Sequence, residues 1–441
     1  MAKRDSLARQ KQVSPARRAA FDILRRVAGG AFSSVLLASE EPNLKPADRA
    51  LTHELVLGVL RWQAFLDKLV EHFSNRSVES LDLPVRIALR LALYQLRFLS
   101  RIPASAAVNE SVNLVRSVKL SSAAAFVNAV LRRAIREANY DPASSVQDPL
   151  EKLAVETSHP VWLIERWVKS FGLAEAESFA RANNDVPPTA FRVVHTRVNA
   201  SGGEDEIVRQ LTAAGASVQR SVISKHAFRV SGAPAVLREL AANGVVYLQD
   251  EASQLVAELL DARPGERVLD LCAAPGGKTT LAADRAGDNA LIVAADRSAA
   301  RMTTVTTTAG LHQLRSIKPT LLDARDRLPF APDSFDRVLV DAPCSGTGTL
   351  RRNPEIRWRL SDVDVQNFAA DQKQFLRNAA EVVKPGGRLV YSTCSVEREE
   401  NEEVIADFLS THPAFSQIQA LRTWPQHEGS DGFFVSVLER S

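Results

Sequence analysis

The strongest constraint on the fold lies in residues 249–441, where short apolar runs alternate with helix-forming segments. The spacing predicts strands over 267–271, 291–295, 320–322, 337–340, 388–392 and 433–438. Helical patterns fall between them, over 278–285, 298–308, 364–383 and 399–409. Alternation of this kind predicts an α/β fold with a mostly parallel, doubly wound, Rossmann-like sheet. In such sheets ligands sit beyond the carboxyl ends of the strands. Three short motifs fall there: Asp270-Leu271-Cys272-Ala273-Ala274-Pro275-Gly276-Gly277-Lys278-Thr279, Asp341-Ala342-Pro343-Cys344-Ser345-Gly346 and Ser392-Thr393-Cys394-Ser395. The acidic stretch 397–403 reads as an exposed helix start with no role.

The rest of the chain has a different texture. Residues 15–140 read as helical throughout, with Ala19, Ile23 and Val27, and again Leu55, Val59 and Leu60, at helical spacing. The run from Ile87 to Leu96 is rich in helix formers and reads as a buried helix, with Pro84 near its start, where proline is tolerated. Two more helices are expected over 108–118 and 124–138. Asp141-Pro142-Ala143-Ser144-Ser145 then breaks the pattern and marks a boundary. Residues 158–248 are mixed: helices over 162–171, 175–182 and 204–214, and strands over 189–199 and 244–248, suggest a small α+β domain. A linker domain without a site of its own stays open. The expected division is 1–142, 143–248 and 249–441.

Composition narrows the setting. Residues 1–150 hold 22 Lys+Arg against 14 Asp+Glu, a net +8, and the remainder is −5. That asymmetry suits a polyanionic partner, although a solvated basic helical surface accounts for the charge equally well. No run of about 18 apolar residues is present, so no membrane span is expected. Residues 1–5 carry charge with no apolar core behind it, unlike a secretory signal. Three cysteines make no disulfide framework, and none lies in a Cys-x-x-Cys pair that would suggest zinc. No metal is expected, and free thiols suit a reducing cytoplasm.

The glycine-rich motif invites a phosphate-loop reading, which Cys272 excludes, because that pattern requires glycine there. Ala273-Ala274-Pro275-Gly276-Gly277 still uncovers backbone amides, and the helix behind it suits a carboxylate. Asp296, at the end of the second strand, is placed to accept ribose hydroxyls, and Asp323, after the third, to meet an adenine edge. Carboxylate, ribose and adenine together describe S-adenosyl-L-methionine. Helix capping is the plainer use of either aspartate alone.

All three motifs resemble those of the RNA cytosine-C5 methyltransferases. The match of 270–280 to that family's cofactor loop is close and implies that Cys272, Ala273, Ala274, Pro275, Gly276, Gly277, Lys278, Asp296, Asp323 and Asp341 bind S-adenosyl-L-methionine. For Cys272 an inert buried thiol, its backbone near cofactor, is the preferred reading. Attack at C5 of cytosine requires a thiolate at C6, hence a lowered cysteine pKa and an acid near N3. Asp341 serves N3 if protonated, or the exocyclic amine if ionised. Spacing does not decide which thiol attacks. The resemblance does: the Thr-Cys motif, here Cys394, is the nucleophile, and the Pro-Cys motif, here Cys344, assists release.

Further segments extend the likeness. His53 to Arg61, Ala107 to Val112 and Phe126 to Arg133 resemble a NusB-type helical domain, which implies RNA binding. His159 to Trp167 and Gln249 to Ser253 resemble the family's pre-catalytic module. Phe191 to Asn199 is longer than the Arg-Val-Asn strand expected there. Arg351 to Arg359, with Trp358 among its arginines, resembles a family stretch after the Pro-Cys motif and implies contact with phosphates and bases. The domain order resembles that of ribosomal small-subunit enzymes. Methyl transfer to 16S rRNA by a monomer, with no DNA or membrane partner, is therefore expected. A tRNA substrate, or a non-catalytic RNA-binding assembly factor, are the alternatives.

Overall fold

The computed structural model describes residues 13–198 and 202–441. The reading at residues 1–5, and Asn199 at the end of the expected strand, lie outside the described residues. The described chain forms two compact units. One holds the chain up to Asp185 together with Leu350–Arg359, and the other holds Val186–Thr349 and Leu360–Ser441.

The first unit is helical. Pro15–Ala28, Pro46–Arg61, Gln63–Ser74, Leu83–Phe98, Ala104–Ser117 and Ala124–Arg136 share one apolar core. Leu83–Phe98 is central, since every residue from Ile87 to Gln95 is buried, including Arg90, which pairs with Asp67. Its neighbours bury one face only. Pro15–Ala28 covers Ala20, Phe21 and Leu24 while Arg25 and Arg26 stay outside. Helices Pro149–Thr157, Val161–Phe171 and Leu173–Ala182 continue the same unit.

Leu350–Arg359 is built into this unit by hydrogen bonds. Glu355 accepts from the backbone N–H and hydroxyl of Ser33, at 2.8 and 2.9 Å. Arg357 is fully buried and donates to the carbonyls of Arg61, Ser158 and Asn183 and to Asn184 Oδ1. Burial, with Arg61 nearby, lowers its pKa to about 9. Trp358 Nε1 donates to Leu60 O at 2.7 Å, and Arg359 to the carbonyls of Val27 and Ala31 at 2.7 and 2.6 Å. For the buried Arg357 this corrects the expected role in holding RNA, whereas Arg359 stays exposed. Their N–H groups satisfy carbonyls of this unit, which a helix end leaves without intrahelical partners.

The second unit carries two sheets. The smaller is antiparallel, in the order β2-β3-β1-β4, with β1 at Thr189–Val193, β2 at Ser217–Arg220, β3 at Ala227–Ser231 and β4 at Val246–Leu248. Helices Gly203–Ala213 and Pro234–Ala242 complete a β-α-β-β-α-β arrangement around Phe191, Leu211, Phe228 and Val246. The expected strand over 189–199 ends at Val193, and His195–Val198 is a helical turn. The cause is remote: Asp284 accepts from the backbone N–H of His195 and of Thr196, at 3.0 and 2.8 Å, and caps that turn. Strands β2 and β3 and helix Pro234–Ala242 were not anticipated.

The larger sheet runs β10-β11-β9-β8-β5-β6-β7. Its strands are β5 Arg267–Asp270, β6 Leu291–Asp296, β7 Ile317–Leu321, β8 Phe335–Asp341, β9 Val383–Thr393, β10 Phe415–Thr423 and β11 Phe433–Arg440. β5 to β9 are mutually parallel, while β10 and β11 join antiparallel, so the expected mostly parallel sheet is observed. Alternate residues enter two separate cores. Leu269, Val338, Leu389 and Tyr391 pack with Leu376 of helix Asp362–Val382, whereas Val268, Leu339 and Val390 pack with Val256 of helix Glu251–Leu260. Two apolar faces, each covered by helices, explain why these strands read as continuous apolar runs.

His195 also joins an ion network. Its Nδ1 lies 3.2 Å from Asp284 and its Nε2 3.2 Å from Glu204, whose other oxygen accepts from Arg220 at 3.0 Å. Its bonds to Asp284 and then Glu204 raise its pKa from 6.5 to about 9. A raised folded-state pKa stabilises fully below the unfolded value and is lost as pH climbs through the folded one. The melting temperature should therefore fall between pH 6.5 and about 9. His195→Gln should flatten that slope in a pH series of thermal melts, and an unchanged slope would refute the assignment.

Candidate active site

Parallel pairing places the carboxyl ends of β5, β6, β7, β8 and β9 along one edge. Each expected site residue lies at or just beyond that edge. β8 and β9 pair directly, with Asp341 opposite Ser392. Cys344 and Cys394 leave these adjacent strands and bring their Sγ atoms to 3.4 Å. Both thiols are half-buried and free. Sharing a proton with Cys394, together with burial, pushes the Cys344 thiol well above its usual pKa.

Asp341 lies beside this pair. Its Oδ2 accepts from Lys278 Nζ and its Oδ1 from Ser392 Oγ, both at 2.7 Å. Burial opposes the Lys278 charge, but Asp341 outweighs it, with Cys394 adding, and the ammonium pKa is raised. Lys278 also stands 5.1 Å from the Phe433 ring centre. Lys278 thus joins the thiols to the glycine-rich motif and is not among the residues lining the cavity beside it.

That cavity has a volume of about 110 Å³ and is lined by Leu271, Cys272, Asp296, Leu322, Asp323, Pro343 and Phe375, among others. Asp296, at the end of β6, accepts from the N–H of Ser298 at 2.9 Å and of Ala274 at 3.3 Å. Asp323 accepts from Arg325, which lowers its pKa to about 2. Ala273 N–H donates to Ala295 O at 2.9 Å, so the motif is stitched to β6. Gly276 has φ +104°, and a Cβ there would stand 3.1 Å from Val305 Cα; glycine is therefore required by both conformation and space. Gly277 opens helix Gly277–Arg285. Cys272 lies against Asp270, Asp296 and Asp341; burial first, then those charges, push its thiol well up. Asp270 is buried and accepts from Thr279 at 2.7 Å. Burial raises its pKa to about 7. This set of hydroxyl and amine acceptors around uncovered backbone fits the donors of an adenosyl amino acid.

The smaller sheet also reaches the motif. Arg192 of β1 is fully buried and donates to Thr280 at 2.9 Å and Gln249 at 3.2 Å. The middle segment therefore braces the helix behind the glycines.

The sequence reading missed Arg301, which donates to Ala274 O at 2.5 Å and stands 3.7 Å from Asp296. It also misread the acidic stretch after Cys394. Glu397 and Glu400 are buried, not exposed. Glu400 accepts from the Ser345 N–H at 2.8 Å, from the Ser345 and Ser395 hydroxyls, and from Gln372 at 3.1 Å. Burial raises its pKa against the pull of those donors. Charge alone gave no signal of this; the serines directly after both cysteines were the available clue.

Comparison with known proteins identifies the family. A family model described as 16S rRNA methyltransferase RsmB/F matches residues 257–439. The NusB family model matches 14–136, and an RsmF/B-like ferredoxin-like domain model matches 159–237. The probable ribosomal RNA small subunit methyltransferase B of Bacillus subtilis (strain 168) is 34% identical, over 93% of this chain and 95% of that one. The chain belongs to the RsmB/F methyltransferase family. The ribosomal RNA small subunit methyltransferase B of Pseudomonas putida is also 34% identical, over 93% of this chain and 95% of its own. The crystal structure of PH0851 superposes with a TM-score of 0.84 at 28% identity, over 97% of this chain and 99% of that one. NSun6 from Pyrococcus horikoshii, solved with SFG, shares the fold at 18% identity and a TM-score of 0.57, covering 64% of this chain and 98% of its own. The family is S-adenosyl-L-methionine-dependent. Among the described residues no helix is long and apolar enough to cross a membrane.

In this family member the two cysteine loops touch backbone to backbone. Gly348 N–H donates to Cys394 O at 2.9 Å, and Gly432 N–H to Gly348 O at 2.8 Å. A Cβ at Gly348 would fall 1.9 Å from Gly432 O and 2.9 Å from Cys394 O. Gly348→Ala should cost about 2–3 kcal/mol of stability, since neither backbone can yield cheaply. Chemical denaturation would measure this, and a loss under about 0.5 kcal/mol would refute it.

Proposed function

We propose that this chain transfers a methyl group from S-adenosyl-L-methionine to C5 of one cytosine in 16S rRNA, through a transient bond from Cys394 to C6. The observation that carries the reading is the pair of thiols 3.4 Å apart at the ends of adjacent parallel strands, with Lys278 and Asp341 beside them. A single thiol suffices for a nucleophile. Two in contact suit a reaction that forms and later breaks a carbon–sulfur bond.

Cys394 acts as the nucleophile. The raised pKa of Cys344 keeps that partner protonated, and its Sγ lies 3.4 Å from that of Cys394. Addition to C6 breaks the aromatic conjugation and makes C5 nucleophilic. The bound cofactor supplies an electrophilic methyl group on its sulfonium. The C5 proton then passes to water, its bonding electron pair restores the C5–C6 double bond and expels Cys394 as a thiolate, and the Cys344 thiol assists release by sharing its proton with the departing sulfur. Of the two roles open to Asp341, both of its oxygens already act as acceptors, from Lys278 Nζ and Ser392 Oγ, which suits the one in which it accepts from the exocyclic amine of cytosine. The target base must leave its stack to present both ring faces.

Asp296 and Asp323 take the ribose hydroxyls and the adenine edge, and the uncovered amides from Ala273 to Gly277 take the carboxylate. Asp323 shares its oxygens with Arg325, which a carboxylate's four acceptor positions permit. Cys272 contributes backbone and stays an inert thiol. Residues 1–142 bind RNA through their net positive charge, the small sheet within 189–248 braces the cofactor helix through Arg192, and 249–441 carry the chemistry.

Cys344→Ala should accumulate a protein–RNA adduct that survives denaturant, while Cys394→Ala should form none. Normal turnover by both variants would overturn the thiol mechanism. Bisulfite sequencing of ribosomal RNA from a strain lacking the protein should show one cytosine newly unprotected. Tight RNA binding with no methyl transfer would instead favour an assembly factor.

A further inference from the structure

Glu400 holds the two cysteine loops together although it belongs to neither. One carboxylate oxygen accepts from the Ser345 backbone N–H at 2.8 Å and from Gln372 Nε2 at 3.1 Å. The other accepts from the hydroxyls of Ser345 and Ser395, the residues directly after Cys344 and Cys394. Gln372 also donates to the Pro343 carbonyl at 3.0 Å, one residue before Cys344. The next residue, Asn401, accepts from Thr393 Oγ1 and donates to Ser395 O at 2.9 Å, gripping the Cys394 loop on both sides. All these groups except Pro343 are buried, and Glu400 itself is 0% exposed.

Such a carboxylate needs a reason to be there. Burying an ion is costly unless its partners are well placed. Most of the donors that satisfy Glu400 come from residues flanking the two thiols, so its place is set by both loops at once. We infer that Glu400 is the positioning residue that sets the separation of Cys344 and Cys394. This rests on the reading that both thiols act. Glu400 touches neither the base nor the cofactor cavity.

The test separates geometry from chemistry. In the full-length protein, diamide accepts two hydrogens as Cys344 and Cys394 join in a disulfide, and peptide mapping distinguishes this from any product of Cys272. The sulfurs need only close from 3.4 Å to bonding distance. Glu400→Ala should slow this cross-link about tenfold or more, because displaced loops rarely sample the narrow disulfide geometry. Glu400→Gln should rescue it, since an amide matches the carboxylate in shape and the two serine hydroxyls can turn to accept. If Glu400→Ala fails to fold, the double variant Ser345→Ala with Ser395→Ala should show the same slowing. In the Cys344→Ala background, Glu400→Ala should also lower the rate of RNA adduct formation about a hundredfold. The KM for S-adenosyl-L-methionine should stay within about twofold, and Glu400→Gln should again rescue, unlike a general structural defect.

Cross-linking at the wild-type rate in the variants overturns the inference, as does Glu400→Gln behaving like Glu400→Ala. Slowed cross-linking in a protein that methylates no RNA sinks the cytosine reading and leaves the positioning role standing.

Discussion

Direct pairing of β8 with β9 is the constraint on which the site depends. Because Asp341 stands opposite Ser392, the loops that follow emerge side by side and two thiols distant in sequence meet. A parallel pair requires a long crossover between its strands. Here that crossover includes Leu350–Arg359 and helix Asp362–Val382, the helix that covers one face of the sheet. The same pairing brings Ser392 to Asp341, which in turn holds Lys278 of the glycine-rich motif. Three motifs are thereby joined by one register.

The site is held by buried polar groups from outside those motifs. Glu400, Gln372 and Asn401 lie on segments that read as ordinary helix surface, yet each closes a bond to a cysteine loop. Arg192 does the same for the cofactor helix from the smaller sheet. These groups are costly to bury and are tolerated because their partners are backbone and hydroxyl groups that would otherwise lack bonds. The excursion from Thr349 to Leu360 follows the same logic in the helical unit, where Arg357 and Glu355 satisfy helix ends.

Much of the fold was legible from local pattern. The central strands appeared because both faces are covered, leaving long apolar runs. The helix at Leu83–Phe98 appeared because the run from Ile87 to Leu96 is rich in helix formers and Pro84 stands near its start. What was missed shares a cause. β10 is an edge strand whose residues from Ser416 to Ala420 are exposed, so little apolar signal marks it. β2 is four residues long and mostly exposed. The strand expected to run past Val193 stops where Asp284, far along the chain, caps a turn, and no local window contains that carboxylate.

The residue types at the strand ends, their order and the period of the apolar runs were fixed in the chain itself, because each depends on near neighbours. So were the parallel sheet and the placing of Cys344, Cys394, Asp296 and Asp323 along its edge. Tertiary structure alone decided that two thiols share a proton, that Lys278 turns toward Asp341, that Arg357 is buried, and that Glu400 is an interior clamp. Those outcomes depend on distances between segments far apart in the chain. Hydrogen bonds and charges act over a few ångströms, and only the folded backbone brings their partners within that range.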